Sequence, residues 1–214
     1  LLKVSLGILV ISLLLFGSAG TFSYWNAWLF LALLFVPMFI AGLIMMRTNP
    51  SLLKKRLNIH EKQGEQQQVV KLSGFLFLAA FTVSGLNFRF QWLFFPNWIV
   101  LVGSLLFVIS YGFYGEVLRE NAFLSRTIEI QENQKVIDTG LYGLVRHPMY
   151  TFTTFMFLSI PLILNSPFSF LIILFYLLII GKRMKYEEAL LEEELVGYKE
   201  YKEKVKYKLI PFVW

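Results

Sequence analysis

Apolar residues fall in long blocks along the chain, each bounded by polar or basic residues. The blocks lie near residues 4–20, 24–46, 72–90, 97–118, 149–165 and 167–183. Each is about 17 residues or longer, enough for a helix to cross a hydrocarbon core roughly 30 Å thick. The pattern predicts an all-α fold, a polytopic transmembrane helical bundle of five to six spans. Only Asn165, Ser166 and Pro167 separate the last two blocks, which predicts a tight C-terminal helical hairpin. A re-entrant segment is the alternative, and it is what makes the count five. The first block ends in Gly17-Ser-Ala-Gly20, as a cleaved signal peptide would. Its length and the second block close behind it favour a retained helix.

The connectors carry a second layer of pattern. Ser51-Leu-Leu-Lys-Lys-Arg-Leu57 places apolar and basic residues at helical spacing, as in a short interfacial helix. Gln63-Gly-Glu-Gln-Gln-Gln68 reads as a solvated connector, and His60 as an exposed loop residue with no role. Ile128-Glu-Ile-Gln-Glu132 alternates as a short strand or extended segment does. Beyond the sixth block, Leu191, Leu195, Tyr198, Tyr201 and Val205 recur at steps of three and four. They predict a long amphipathic cytoplasmic tail helix that continues the sixth span and ends at Pro211.

Charge orients this plan. The chain carries a net charge of +6, which in a soluble protein would suggest nucleic acid. Here Arg47, Lys54, Lys55, Arg56, Lys62 and Lys71 follow the second block, and Arg119, Arg126, Lys135 and Arg146 follow the fourth. Basic loops beside apolar spans indicate membrane lipid and topology, so no nucleic-acid partner is expected. The opposite loops hold little beyond Arg89. Both basic loops and both termini are therefore expected in the cytoplasm. Tyr24, Trp25, Trp28, Trp92 and Trp98 then form an aromatic belt at the outer interface. With no cysteine and only two histidines, disulfides, a cysteine nucleophile and a metal centre are not expected.

Chemistry concentrates in two places. The first is Gly140-Leu-Tyr-Gly-Leu-Val-Arg-His-Pro-Met-Tyr150. Gly140 suits a turn, and Pro148 suits the first turn of a helix. Arg146, His147 and Tyr150 would then gather on one side of a helix N-terminus, a place that favours anions. The second is Arg183 with Glu187, four apart on the extension of the sixth block, and Glu188 beside them. An i,i+4 ion pair is the bland reading of that spacing. Glu116, at the inner end of the fourth block, is ionisable within a span but takes no assignment. The hairpin brings both clusters to one pocket at the inner leaflet, open to a soluble cofactor and to a lipid tail.

Gly140-x-Tyr142-x-x-Val-Arg146-His147-Pro148-x-Tyr150, followed by a hairpin and Arg183-x-x-x-Glu187-Glu188, resembles the isoprenylcysteine carboxyl methyltransferases and the related phospholipid methyltransferases. These are integral-membrane enzymes that use S-adenosyl-L-methionine. The resemblance covers about residues 97–213 and ends in Tyr201-Lys-Glu-Lys-Val205 and Ile210-Pro211. It divides the chain into N-terminal helices with a basic loop (1–96) and a methyltransferase core (97–214). It implies a cofactor site lined by Gln131, Gln134, Lys135, Val136, Ile137, Tyr142, Arg146, His147, Pro148, Met149, Tyr150, Glu187 and Glu188. It also implies that Arg183 and Glu187 serve catalysis, with Arg183 facing the substrate. The acceptor it implies is a lipophilic small molecule or prenylated carboxylate, and a phospholipid amine is the alternative within the family. Leu195-Val-Gly-Tyr198 stands where the family commonly has Phe-Gly-x-Glu-Tyr, one residue longer. Two other readings stay open. Sterol-reductase-like membrane enzymes that use NADPH share a His-Pro-x-Tyr element, and a non-catalytic membrane protein would carry both clusters as interfacial anchors.

Overall fold

The computed structural model describes residues 2–48, 50, 64–124 and 130–213. Among the described residues it is helical with no strand. Helix α1 (Leu2–Ser12) passes into a π-helical turn (Leu13–Gly17). It is followed by α2 (Trp25–Thr48), α3 (Gly64–Phe90) and α4 (Asn97–Glu120). After a long connector come α5 (Pro148–Ile163), α6 (Pro167–Leu174), α7 (Tyr176–Glu194) and the short α8 (Tyr198–Lys204). Proline opens both α5 and α6, where its missing N–H leaves no helical bond unmade. Phe175 keeps helical angles, so α6 and α7 run on almost as one helix.

Four helical stretches are long and apolar enough to cross a membrane: 25–48, 67–90, 97–120 and 167–194. Val4–Gly17 and Pro148–Ile163 are apolar but shorter. Large apolar side chains such as Leu13, Phe75, Leu101 and Leu178 point outward. Such a surface would aggregate in water and is ordinary against lipid. Trp25, Trp28, Trp92 and Trp98 are exposed as an aromatic belt requires, but Tyr24 is not. Tyr24 is buried, stacks on Phe88 and donates its hydroxyl to the Leu164 carbonyl, which makes it a core residue.

That bond belongs to a polar network at one end of the bundle. The Asn26 amide donates to the Ile163 carbonyl at 2.8 Å, and the Asn87 amide to Leu93 at 2.8 Å. The Phe95 N–H donates to the Asn165 side chain at 2.7 Å. Loop carbonyls and amides that lipid could not satisfy are paired here. The network also fixes the α5–α6 turn, where Asn165 takes a positive φ of 54° and the Ser166 hydroxyl caps α6.

Several expectations change. Gly64–Gln68 form the first turns of α3 and are not a solvated connector. Glutamine is a good helix former, so the run Gln66–Gln68 carries the helix back beyond the apolar block. The tail is not one long helix. Leu195 turns extended and Gly197 adopts φ +86°, so α7 ends and α8 starts in a new direction. Glycine reaches that angle without a Cβ clash. The predicted stripe survives the break: Leu195, Tyr198, Tyr201 and Val205 are buried together with Leu191 against them. Of the stretch 128–132 expected as a strand or extended segment, the described residues 130–132 form no strand and lead into a turn over Gln131–Gln134. Glu116 pairs with Arg119 on the exposed side of α4, which accounts for its charge without a buried site. The Ser51–Leu57 segment, His60, Arg126 and residues 128–129 lie outside the described residues.

Close packing sets one testable constraint. A Cβ added at Gly85 on α3 would lie 1.9 Å from the Ser18 hydroxyl and 2.6 Å from the Leu15 carbonyl. The π-helical turn packs directly on α3 at this point. Gly85→Ala is expected to force the two helices apart and cost about 1–3 kcal/mol. Thermal unfolding in detergent checks this, and an unchanged midpoint would contradict the close approach.

Candidate functional site

The other end of the bundle carries the charges, and it is assembled from the connector outward. Gly140 takes φ +57° and lies so close to Glu120 that a Cβ would stand 1.9 Å from its carboxylate. The Glu120 carboxylate accepts from the Leu141 N–H at 3.0 Å, which pins the connector to the end of α4. A short 3-10 turn over Gly140–Gly143 then buries Tyr142. The Tyr201 hydroxyl donates to the Tyr142 carbonyl at 2.7 Å, tying α8 to the same turn.

Arg146 and His147 precede α5 and pair with the C-terminal segment. Their N–H groups donate to the carbonyls of Tyr207 and Lys208, each at 2.9 Å. The Arg146 guanidinium donates from Nη1 to the Val205 and Lys206 carbonyls and from Nε to Glu188 Oε1, all at 2.8 Å. His147 Nε2 lies 3.1 Å from the same Glu188 oxygen, and Lys208 Nζ lies 3.2 Å from the other. Arg146, His147 and Glu188 are 7%, 5% and 5% exposed. The Thr151 hydroxyl adds a 2.8 Å bond to the Leu209 carbonyl. A buried carboxylate thus joins α5, α7 and the tail, and each charge it meets has a partner.

One helical step from Glu188, Glu187 faces the other way. It accepts from the Tyr150 hydroxyl at 2.5 Å, and that hydroxyl accepts from Arg183 Nε at 3.0 Å. Tyr150 therefore stands between the guanidinium and the carboxylate that the sequence spaced four apart. The His147 and Tyr150 rings lie 5.6 Å apart.

These groups line one side of a cleft that is partly open to solvent. Of the residues expected in the site, Gln134, Lys135, Val136, Ile137, Tyr142, Arg146, His147, Pro148, Met149, Tyr150, Arg183 and Glu187 line it. Gln131 and Glu188 do not. The Gln131 side chain donates to the Phe123 carbonyl and holds the connector turn, while Glu188 is committed to its buried cations. Further lining comes from Asn121, Phe123 and Leu124 after α4 and from Leu195, Tyr198 and Tyr201 in the tail. The sequence marked the tail residues as an apolar stripe; that the stripe walls a cleft depends on the break at Gly197.

The cleft has two characters. Arg183, Glu187, Tyr150 and His147 make a polar end, whereas Ile130, Val136, Leu191 and Leu195 make an apolar one. Burial, and then the Tyr142 phenol beside it, hold the Tyr201 hydroxyl above its ordinary range, so it remains a donor. Outside the cleft, a hydrogen bond from Lys204 at 2.7 Å keeps the Asp138 carboxyl below its usual range and fastens α8 to the connector.

Helices with lipid-facing surfaces and a charged cleft at one end define an integral-membrane protein. The class is sharpened by comparison: residues 98–196 match the phospholipid methyltransferase family, from α4 through the end of α7. This is a family of integral-membrane methyltransferases that includes the isoprenylcysteine carboxyl methyltransferases. No curated protein matches the chain.

Proposed function

We propose that the protein transfers a methyl group from S-adenosyl-L-methionine to a lipophilic acceptor at the inner leaflet. The observation that carries the reading is the Arg183–Tyr150–Glu187 chain. It sits at the polar end of a cleft within the family-matched segment and beside the lipid-facing bundle. The donor combines a purine, a ribose and a cationic sulfonium, and the cleft pairs an apolar wall with a carboxylate and aromatic faces suited to those parts. When bound, the donor would supply an electrophilic methyl group for in-line displacement, so the protein's work is mainly positioning. Residues 134–137, Tyr142 and 147–150 would hold it, with Glu187 near the sulfonium.

Arg183 is placed to orient a carboxylate acceptor of the isoprenylcysteine type by paired hydrogen bonds. Such an acceptor needs no general base. The family match equally favours a phospholipid amine, which must lose a proton, and Glu187 is then the acceptor of it. Residues 97–214 would form the catalytic core, and 1–96 the helices that support it. By the positive-inside rule the basic loops favour a cytoplasmic position for this end of the bundle and for both termini.

The test offers detergent-purified protein a methyl-tritiated donor with a farnesylated N-acetylcysteine or with phosphatidylethanolamine. Base-labile label on the first identifies a carboxyl methyltransferase; label in the headgroup of the second identifies an amine methyltransferase. Saturable binding of NADPH, with no affinity for either adenosyl compound (donor or S-adenosylhomocysteine), would overturn the methyl-donor reading.

A further inference from the structure

We infer that the segment 204–213 docks an anionic phospholipid from the leaflet at the charged end of the bundle. The lipid phosphate pairs with Lys206, and an acyl chain lies over Leu144 and Phe212. This surface is outside the cleft and is independent of the reaction proposed there.

The depth of the segment follows from its partners. It runs beside the start of α5 in the direction of that helix. The Tyr207 carbonyl accepts from the Arg146 N–H, the Lys208 carbonyl from the His147 N–H, and the Leu209 carbonyl from the Thr151 hydroxyl, one turn inside α5. Leu209 is buried in an apolar cluster with Val69, Leu76, Tyr176, Ile179 and Ile180. Those residues belong to the stretches 67–90 and 167–194, both long and apolar enough to cross a membrane. The chain has thus descended to the level where the spans begin. There it turns, the Val213 N–H donating to the Ile210 carbonyl at 3.1 Å, and presents apolar side chains outward. Phe212 is 87% exposed and Val213 75%. At this level they extend the lipid-facing surface of the bundle, whereas in water they would be a liability.

Beside the turn is a groove lined by Leu144, Lys204, Lys206, Tyr207, Pro211 and Phe212. The Phe212 ring lies 5.3 Å from that of Tyr207, and Leu144 is exposed. Lys204 is held by Asp138, and Lys208 by Glu188. Lys206 is exposed and has no ion pair among the described residues. An apolar surface below an unpaired ammonium follows the order of a phospholipid, acyl chain below phosphate. A lysine stem can lie on such a surface while its charge stays at headgroup level. A zwitterionic headgroup brings its own cation, so an unpaired lysine selects a lipid with net negative charge.

The chain has no cysteine, so one introduced residue can be labelled uniquely. The test places bimane on Phe212→Cys in the full-length protein, reconstituted in phosphatidylcholine vesicles. Part of the lipid is replaced by phosphatidylglycerol or phosphatidylcholine carrying an acyl-chain nitroxide, which quenches on contact. Both lipids are expected to quench, with phosphatidylglycerol preferred about fivefold, the weight of one lysine near an anionic surface. Lys206→Gln should bring the two lipids to parity. Bimane on Val213→Cys, which keeps Phe212, should behave alike, and bimane on Glu203→Cys should stay unquenched. Absence of quenching at both 212 and 213, while a label on Leu101→Cys is quenched, would overturn the docking. Equal quenching by the two lipids, or a preference that survives Lys206→Gln, would overturn the anionic assignment. Quenching that disappears as the protein-to-lipid ratio rises would give the surface to a second copy of the chain and overturn it as well.

Discussion

Glu188→Ala is expected to be the most destabilising single change in the charged end of the bundle. The substitution removes the carboxylate that faces Arg146 at 2.8 Å, His147 at 3.1 Å and Lys208 at 3.2 Å. Arg146 is 7% exposed and cannot turn to water. Breaking a buried pair by deleting one member costs about 3–5 kcal/mol, because the remaining charge stays desolvated. The loss should appear as a marked drop in the unfolding midpoint and as early proteolysis of the tail, whose segment 205–209 is bonded to Arg146, His147 and Thr151. Removing both charges, as in Glu188→Leu with Arg146→Met, should recover part of the midpoint. A single variant as stable as wild type would show that the buried carboxylate does not hold the tail.

The second large effect is on turnover. Arg183→Ala is expected to lower kcat/KM for the acceptor by about 100-fold, a loss typical of a reactant held out of line. Binding of S-adenosylhomocysteine should change far less. The sequence alone suggests the opposite bias for Tyr150→Ala, a loss mainly of cofactor binding. The structure joins the two residues, since the Tyr150 hydroxyl accepts from Arg183 and donates to Glu187. Tyr150→Phe should therefore reproduce part of the Arg183→Ala defect in turnover, because it removes the hydroxyl that Arg183 Nε donates to. Steady-state kinetics together with calorimetry separate the effects. Equal loss of binding and turnover in Arg183→Ala would contradict a role toward the acceptor.

The two variants also separate neighbours that the sequence could not. Glu187 and Glu188 are adjacent and chemically alike, and the family motif offers both to the cofactor. Adjacent residues on a helix point about 100° apart, so one faces the cleft and the other faces the tail. Which is which depends on how α7 is rotated against α5, and that is set by packing. Met184 and Ile180 are buried against Tyr150 and Leu209, which turns Glu188 inward to Arg146. Likewise Arg146 and His147 sit in the motif as apparent site residues. Both line the cleft, but their polar atoms are largely used in binding Glu188 and the tail.

The apolar blocks by themselves determined the helices, because a segment without water must satisfy its own backbone and only a helix does so locally. The six blocks correspond closely to α1 through α7, and proline and glycine positions marked their starts and turns. The motif residues and their gathering at one end were legible for the same reason: a short hairpin leaves little freedom in where its two ends lie. The wall of the cleft was not legible. Leu195, Tyr198 and Tyr201 are separated from the motif by more than forty residues, and a stripe at helical spacing does not say what it faces. Gly197 breaks the tail, the buried Glu188 draws it back across α5, and only then does the stripe close the cleft. Those contacts join residues far apart in the chain, so they are a property of the packed bundle and not of any local pattern.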